Sequence, residues 1–145
     1  MNKVIYPLLF LALTGPLAPL TGQTPAQQNV LKRLMRDKVD SAKSLLEGLA
    51  LADFAKIRRN AEELIRLSNT AEWVVLKTPQ YALHSNEFRR AAEEVVKKAK
   101  AQNIDGATNG YMDLVRTCVR CHQYVREVRD ARLDRPRIDV ALAGH

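Results

Sequence analysis

Two thiols and an imidazole stand together in this 145-residue sequence as Cys118-Val119-Arg120-Cys121-His122, and these two cysteines are the only ones in the chain. A C-x-x-C-H run is the attachment sequence of c-type haem. The spacing suits a helix, where positions i, i+3 and i+4 share one face, so both thiols and the imidazole meet the same object. In that chemistry the thiols form thioethers with the two vinyl groups of the porphyrin. The imidazole ligates the iron from the same side.

Three other readings compete with haem. A redox-active C-x-x-C sits at a helix N-terminus, where the dipole lowers a thiol pKa; here the pair falls well inside a long helical pattern, away from that influence. Structural zinc takes about four ligands, and beyond the run the chain adds only His84 and His145 as histidines. A plain i,i+3 disulfide in an oxidising compartment is the least demanding reading.

The elements that must position these groups are helices. The composition is 46% hydrophobic, 27% charged and only 6% aromatic, with six Gly and six Pro. That describes a folded protein and disfavours a sandwich or barrel, which would draw on more aromatic, β-branched and turn residues. Between Ala26 and Arg135 the one proline is Pro79. A first apolar stripe runs Leu31, Met35, Val39, Ala42, Leu46, Leu49, with Gly48 near its end and Asp53 as cap of the next helix. The second runs Phe54, Ile57, Ala61, Leu64, Ser68, Ala71, Val75 and is expected to end near Lys77, ahead of Pro79. A connector through Tyr81 leads to Ser85 as the cap of a third stripe, Phe88, Ala92, Val95 or Val96, and Ala99. After Asn103 and Asp105-Gly106 the fourth helix is expected from about Ala107 to Leu133, through Tyr111, Leu114, Cys118, Cys121, His122 and Val125. Four amphipathic helices with short connectors predict an all-α, antiparallel up-down-up-down four-helix bundle, with haem attached on the C-terminal helix.

Residues 1–22 read as an address. Lys3 precedes an apolar stretch from Val4 to about Leu13, followed by small residues and Pro16 and Pro19 up to Gly22. This is the layout of a secretory signal peptide, too short and Pro-interrupted for a comfortable span. The expected domain is residues 23–145, periplasmic after export, with an uncleaved membrane tether as the other possibility. The full chain carries a net charge of +7. Removing Lys3 with the leader leaves +6, which suits docking to an acidic partner protein; no nucleic-acid-binding motif accompanies the charge, so nucleic acid is not expected.

An exported, all-helical chain with C-x-x-C-H in its last helix resembles the cytochrome c′ family, whose members include five-coordinate gas binders and low-spin relatives with a Met ligand. The resemblance covers the mature chain. It includes Arg126, four after His122, the run Ile57-Arg58-Arg59-Asn60-Ala61-Glu62-Glu63-Leu64, and the following Trp73. It implies His122 as the axial iron ligand and a distal residue from the first helix, where Met35 stands. Met112 lies ten residues before His122 on the same helix, roughly 15 Å away along it, and on the proximal side, so it does not compete. One departure stands out. Four residues before the distal position the family often carries an Arg that meets a haem propionate; here Leu31 takes that place, with Lys32, Arg33 and Arg36 nearby as substitutes.

Two functions follow from what fills the sixth coordination position. With Met35 bound, a Met/His haem is suited to electron transfer, since Met/His ligation raises the potential. With Met35 as ordinary core, an open iron screened by apolar side chains takes nitric oxide or carbon monoxide. A haem-free helical interaction domain is a third reading. No paired carboxylates, Ser-His arrangement or phosphate loop is present, so enzymatic activity is not expected. Trp73 reads as a core or haem-contacting aromatic, and His84 as an exposed residue ahead of a cap. The seven arginines from Arg116 to Arg137 read as a docking edge or a solvated face. Family members are often homodimers through their first two helices, an expectation that the stripes neither demand nor forbid.

Overall fold

The computed structural model describes residues 24–133. The leader, its cleavage point, His145 and the arginines beyond Leu133 therefore lie outside the described residues. Four helices follow in order: α1 (Pro25–Ala50), α2 (Phe54–Ser68), α3 (Pro79–Lys100) and α4 (Ile104–Leu133), with a single 3-10 turn at Ala71–Trp73 between α2 and α3. Each helix packs against the next in sequence, as an up-down bundle requires, and α1 meets α4 only sparsely. Among the described residues no helix is long and apolar enough to cross a membrane.

Local chemistry explains the boundaries. Pro25 and Pro79 are both first residues of helices, where a missing N–H costs nothing. Thr24 caps α1 in a reciprocal box with Gln27, and Asp53 caps α2 through Lys56 N at 2.9 Å. The expected helix to Lys77 stops instead at Ser68. There Ser68 Oγ and Asn69 Nδ2 both donate to Ile65 O, and Thr70 Oγ1 to Leu67 O, so polar side chains take over the carbonyls of the last turn. The third helix starts six residues before the expected cap: Thr78 accepts from Tyr81 N, and Ser85 lies buried inside α3. Asn103 accepts from Gly106 N at 2.8 Å and starts α4 at Ile104, three residues before Ala107.

The α1–α2 and α3–α4 turns are built alike. Ala52 and Gln102 both adopt positive φ (51° and 52°), and the next N–H returns to a carbonyl five residues back, Asp53 to Gly48 and Asn103 to Lys98. Two glycines permit close packing beside these turns. A Cβ on Gly48 would stand 3.0 Å from Ile57 Cγ1, and one on Gly110 would stand 3.0 Å from Val95 Cγ2.

The core comprises Leu45, Ile57, Leu64, Phe88, Val95 and Leu114, all essentially fully buried, with Trp73 and Tyr81 closing one end. Burying side chains of this size stabilises by about 1.5–3 kcal/mol each. The face of α1 that meets this core is Leu34, Lys38, Ser41, Leu45 and Leu49. Part of the expected stripe is therefore rotated out of it, with Val39 and Leu46 each 51% exposed. Val39 borders the sparse α1–α4 seam.

Candidate functional site

The reactive run lies where the sequence places it, well inside α4. Thr117 is buried and turns its hydroxyl back to Leu114 O at 2.7 Å, so it spends its donor within the helix. Cys118 and Cys121 are half-buried free thiols, and His122 sits at the rim. All three border a slot between α4 and α1.

Two small cavities make up this slot. One, of about 100 Å³, is bounded by Met35, Lys38, Val39 and Ala42 on α1, by Leu64 and Phe88 beneath, and by Leu114, Val115, Cys118 and His122 on α4. The other, of about 110 Å³, is bounded by Leu31, Met35 and Lys38, by Trp73, Val75 and Tyr81, and by Cys121, His122 and Val125. Met35, Lys38 and His122 line both, so the partition between the cavities consists of side chains. Their walls are almost wholly apolar.

The floor is rigid. Trp73 Nε1 donates to Ser85 Oγ at 2.9 Å, Ser85 Oγ donates to Tyr81 O at 2.9 Å, and the Tyr81 hydroxyl donates to Trp73 O. The Trp73 ring lies 5.1 Å from that of Phe88. Buried polar groups held in a closed set like this one specify a single arrangement. Ser85, expected as a cap, is the centre of it.

Burial raises the pKa of the Cys121 thiol; the Lys38 charge opposes this and Cys118 adds to it. Cys121 thus lacks the lowered pKa that activates a redox thiol. The His122 imidazole is lowered by burial, then by the positive charges of Lys38 and Arg126. Neutral imidazole is the form that ligates a metal. Tyr81 is pushed up to about 12, chiefly by burial and further by Cys121, so its phenol stays protonated.

The donor set fits haem. Two thiols and a neutral imidazole on one helix face border an apolar slot whose far wall offers a thioether. Val39 at 51% and Val119 at 58% exposure leave apolar surface uncovered on both sides of the seam, which a flat apolar group between α1 and α4 would cover. Neither cavity alone reaches the ~300–1,000 Å³ of a usual cofactor site.

The site thus brings together Cys118, Cys121, His122 and Met35. Arg126 stands outside the slot, in a shallow exposed groove with Cys118, Val119 and His122. Lys32, Arg33 and Arg36, the expected substitutes for a propionate-binding Arg, are exposed and line neither cavity. His84 is not the exposed residue expected of it. It lies within α3 with its side chain only 12% exposed, Nδ1 3.5 Å from Glu87 Oε2 and its ring 5.6 Å from Tyr124. Sequence reading missed Lys38, a buried lysine in the middle of the slot. The available signal was its spacing, four after Leu34 and seven before Leu45 on the inner face of α1.

Compared with protein-family models, curated proteins and solved structures, the chain matches none. The fold and site define an all-α protein of four sequentially packed helices with a thiol–imidazole slot at its one loose seam.

Proposed function

We propose that the protein is an exported monohaem c-type cytochrome of the cytochrome c′ type that carries electrons and catalyses no reaction of its own. Haem is attached through Cys118 and Cys121, His122 is the proximal ligand, and Met35 is the second ligand. The observation that carries this reading is the shared slot: thiols, imidazole and the Met35 thioether border the same apolar space from opposite helices. A soft thioether opposite imidazole suits a haem that changes redox state without binding substrate. Attachment outside the cytoplasm accords with the leader-like residues 1–22, and the exposed Arg116, Arg120 and Arg126 suit an acidic redox partner.

The apolar cavity of Val39, Ala42, Leu64 and Phe88 favours a second reading. There Met35 stays in the core and the iron takes nitric oxide or carbon monoxide on its α1 side.

Optical spectra of protein matured with a haem-attachment system separate the two. Electron transfer predicts a low-spin ferric haem with a weak long-wavelength sulfur-to-iron band, and reduced protein that takes carbon monoxide slowly or not at all. Met35→Ala then yields a high-spin haem that binds carbon monoxide promptly. A wild type already high-spin at neutral pH, with prompt carbon monoxide binding, overturns the carrier reading in favour of gas binding. A wild type without covalent haem overturns both.

A further inference from the structure

Lys38 is the one lysine among the described residues buried in the core, at 6% exposure, and it sits at the centre of the slot. Its Nζ lies 4.4 Å from the Phe88 ring centroid and 4.6 Å from that of Trp73, both within cation–π reach. Among the described residues, no carboxylate lies within ion-pairing distance of it. The nearby ion pairs leave it out: Lys43 takes Asp40, and Lys56 takes Glu47. A buried charge ordinarily has a counter-ion, because aromatic faces replace only part of the lost hydration. Outside the slot, the charge that also acts on His122 is Arg126, again positive, so His122 lies between two cations.

We propose that Lys38 is the positive pole of an anion subsite inside the slot, and that it takes a small carboxylate-like anion. This rests on the haem reading. The two sources of such an anion are a propionate of the haem itself and a free anion entering on the α1 side. A propionate partner would give Lys38 the charge-pairing role for which Lys32, Arg33 and Arg36 are placed too far out. The aromatic pair of Trp73 and Phe88 then acts as a holder that keeps the ammonium pointed into the slot rather than out to water. Arg can replace Lys here in charge, whereas Met keeps the length of the stem and removes the charge alone.

Wild-type, Lys38→Met and Lys38→Arg proteins, each matured with haem, provide the test. Resonance Raman spectra report the propionate bending band, and optical titration of the ferric proteins with azide reports free-anion affinity. If a propionate is the partner, the band shifts in Lys38→Met, returns in Lys38→Arg, and azide affinity is unchanged. If the anion is free, the band stays fixed and azide affinity falls about tenfold in Lys38→Met, with recovery in Lys38→Arg. Either result supports the subsite and assigns its source. It is overturned if neither readout moves, or if electron paramagnetic resonance of the wild type shows an amine ligand to iron that Lys38→Met removes. Loss of covalent haem from the wild type is a different failure, that of the cytochrome reading, and loss from Lys38→Met alone would make Lys38 a folding residue and overturn the subsite.

Discussion

Along its α3 edge, helix α4 sets a small residue against the neighbouring helix: a Cβ on Gly110 would stand 3.0 Å from Val95 Cγ2, and Ala107, one turn earlier on α4, is fully buried. Along its α1 edge the same helix presents Val115, Cys118 and His122, and the facing Val39 of α1 stands half in water. One edge is packed like a protein interior and the other is not. The difference teaches that three seams of this bundle are closed by side chains of the chain itself. The fourth is closed only loosely, and it is the seam that carries both thiols.

The largest expected effect breaks the open edge at its chemistry. Cys118→Ala combined with Cys121→Ala should abolish covalent haem, because no other thiol exists in the chain. Acid-acetone extraction should then remove all pigment from the double variant, and pigment that stays with the protein would end the attachment reading. On the buried side of α4, Leu114→Ala should cost about 2–5 kcal/mol in denaturant unfolding, as truncations of buried leucines do. Val119→Ala, five residues further along the same helix but 58% exposed, should stay within about 0.5 kcal/mol in haem-free protein. Equal costs at the two positions would erase the contrast between the buried and the open surface of α4.

A smaller effect concerns the floor between them. Tyr81 ionises near its ordinary value when unfolded and at about 12 when folded. The unfolded chain therefore loses this proton first, and the contribution of Tyr81 declines as pH rises from about 10 toward 12. The decline, on the order of 2 kcal/mol, should be largely absent from Tyr81→Phe, which lacks the ionising hydroxyl. Parallel alkaline stability curves for wild type and variant would show that the phenol is not held as described.

Much of this molecule is written in its periodicity. The all-helical class, the four helices and the common face of Cys118, Cys121 and His122 follow from residues recurring at three and four, because that spacing depends only on helix geometry. Boundaries were less legible because polar residues have more than one use. Ser68 and Thr70 end a helix with their hydroxyls, whereas Ser85 looks like a cap and serves as hydrogen-bond partner to Trp73. The α1 stripe misled for a related reason. Its apolar residues serve two surfaces, the core through Leu34 and Leu45 and the slot through Met35 and Val39, and a pattern of apolar types cannot divide them. Lys38 escaped notice because a lysine in a helix is ordinarily read as solvated. Only its spacing among Leu34, Ser41 and Leu45 sets it inside.

The sparse seam also bears on the order of events during folding. The α1–α2, α2–α3 and α3–α4 contacts each join neighbours along the chain, two of them across tight turns at Ala52 and Gln102. The meeting of α1 with α4 joins the two ends of the described chain, and closing so long a loop costs the most entropy for the least packing in return. The last helix can therefore be formed and docked on α3 while the first still stands away from it. During that interval both thiols would meet more solvent than in the closed bundle, where each is half-buried, and a bulky reagent would reach them more easily.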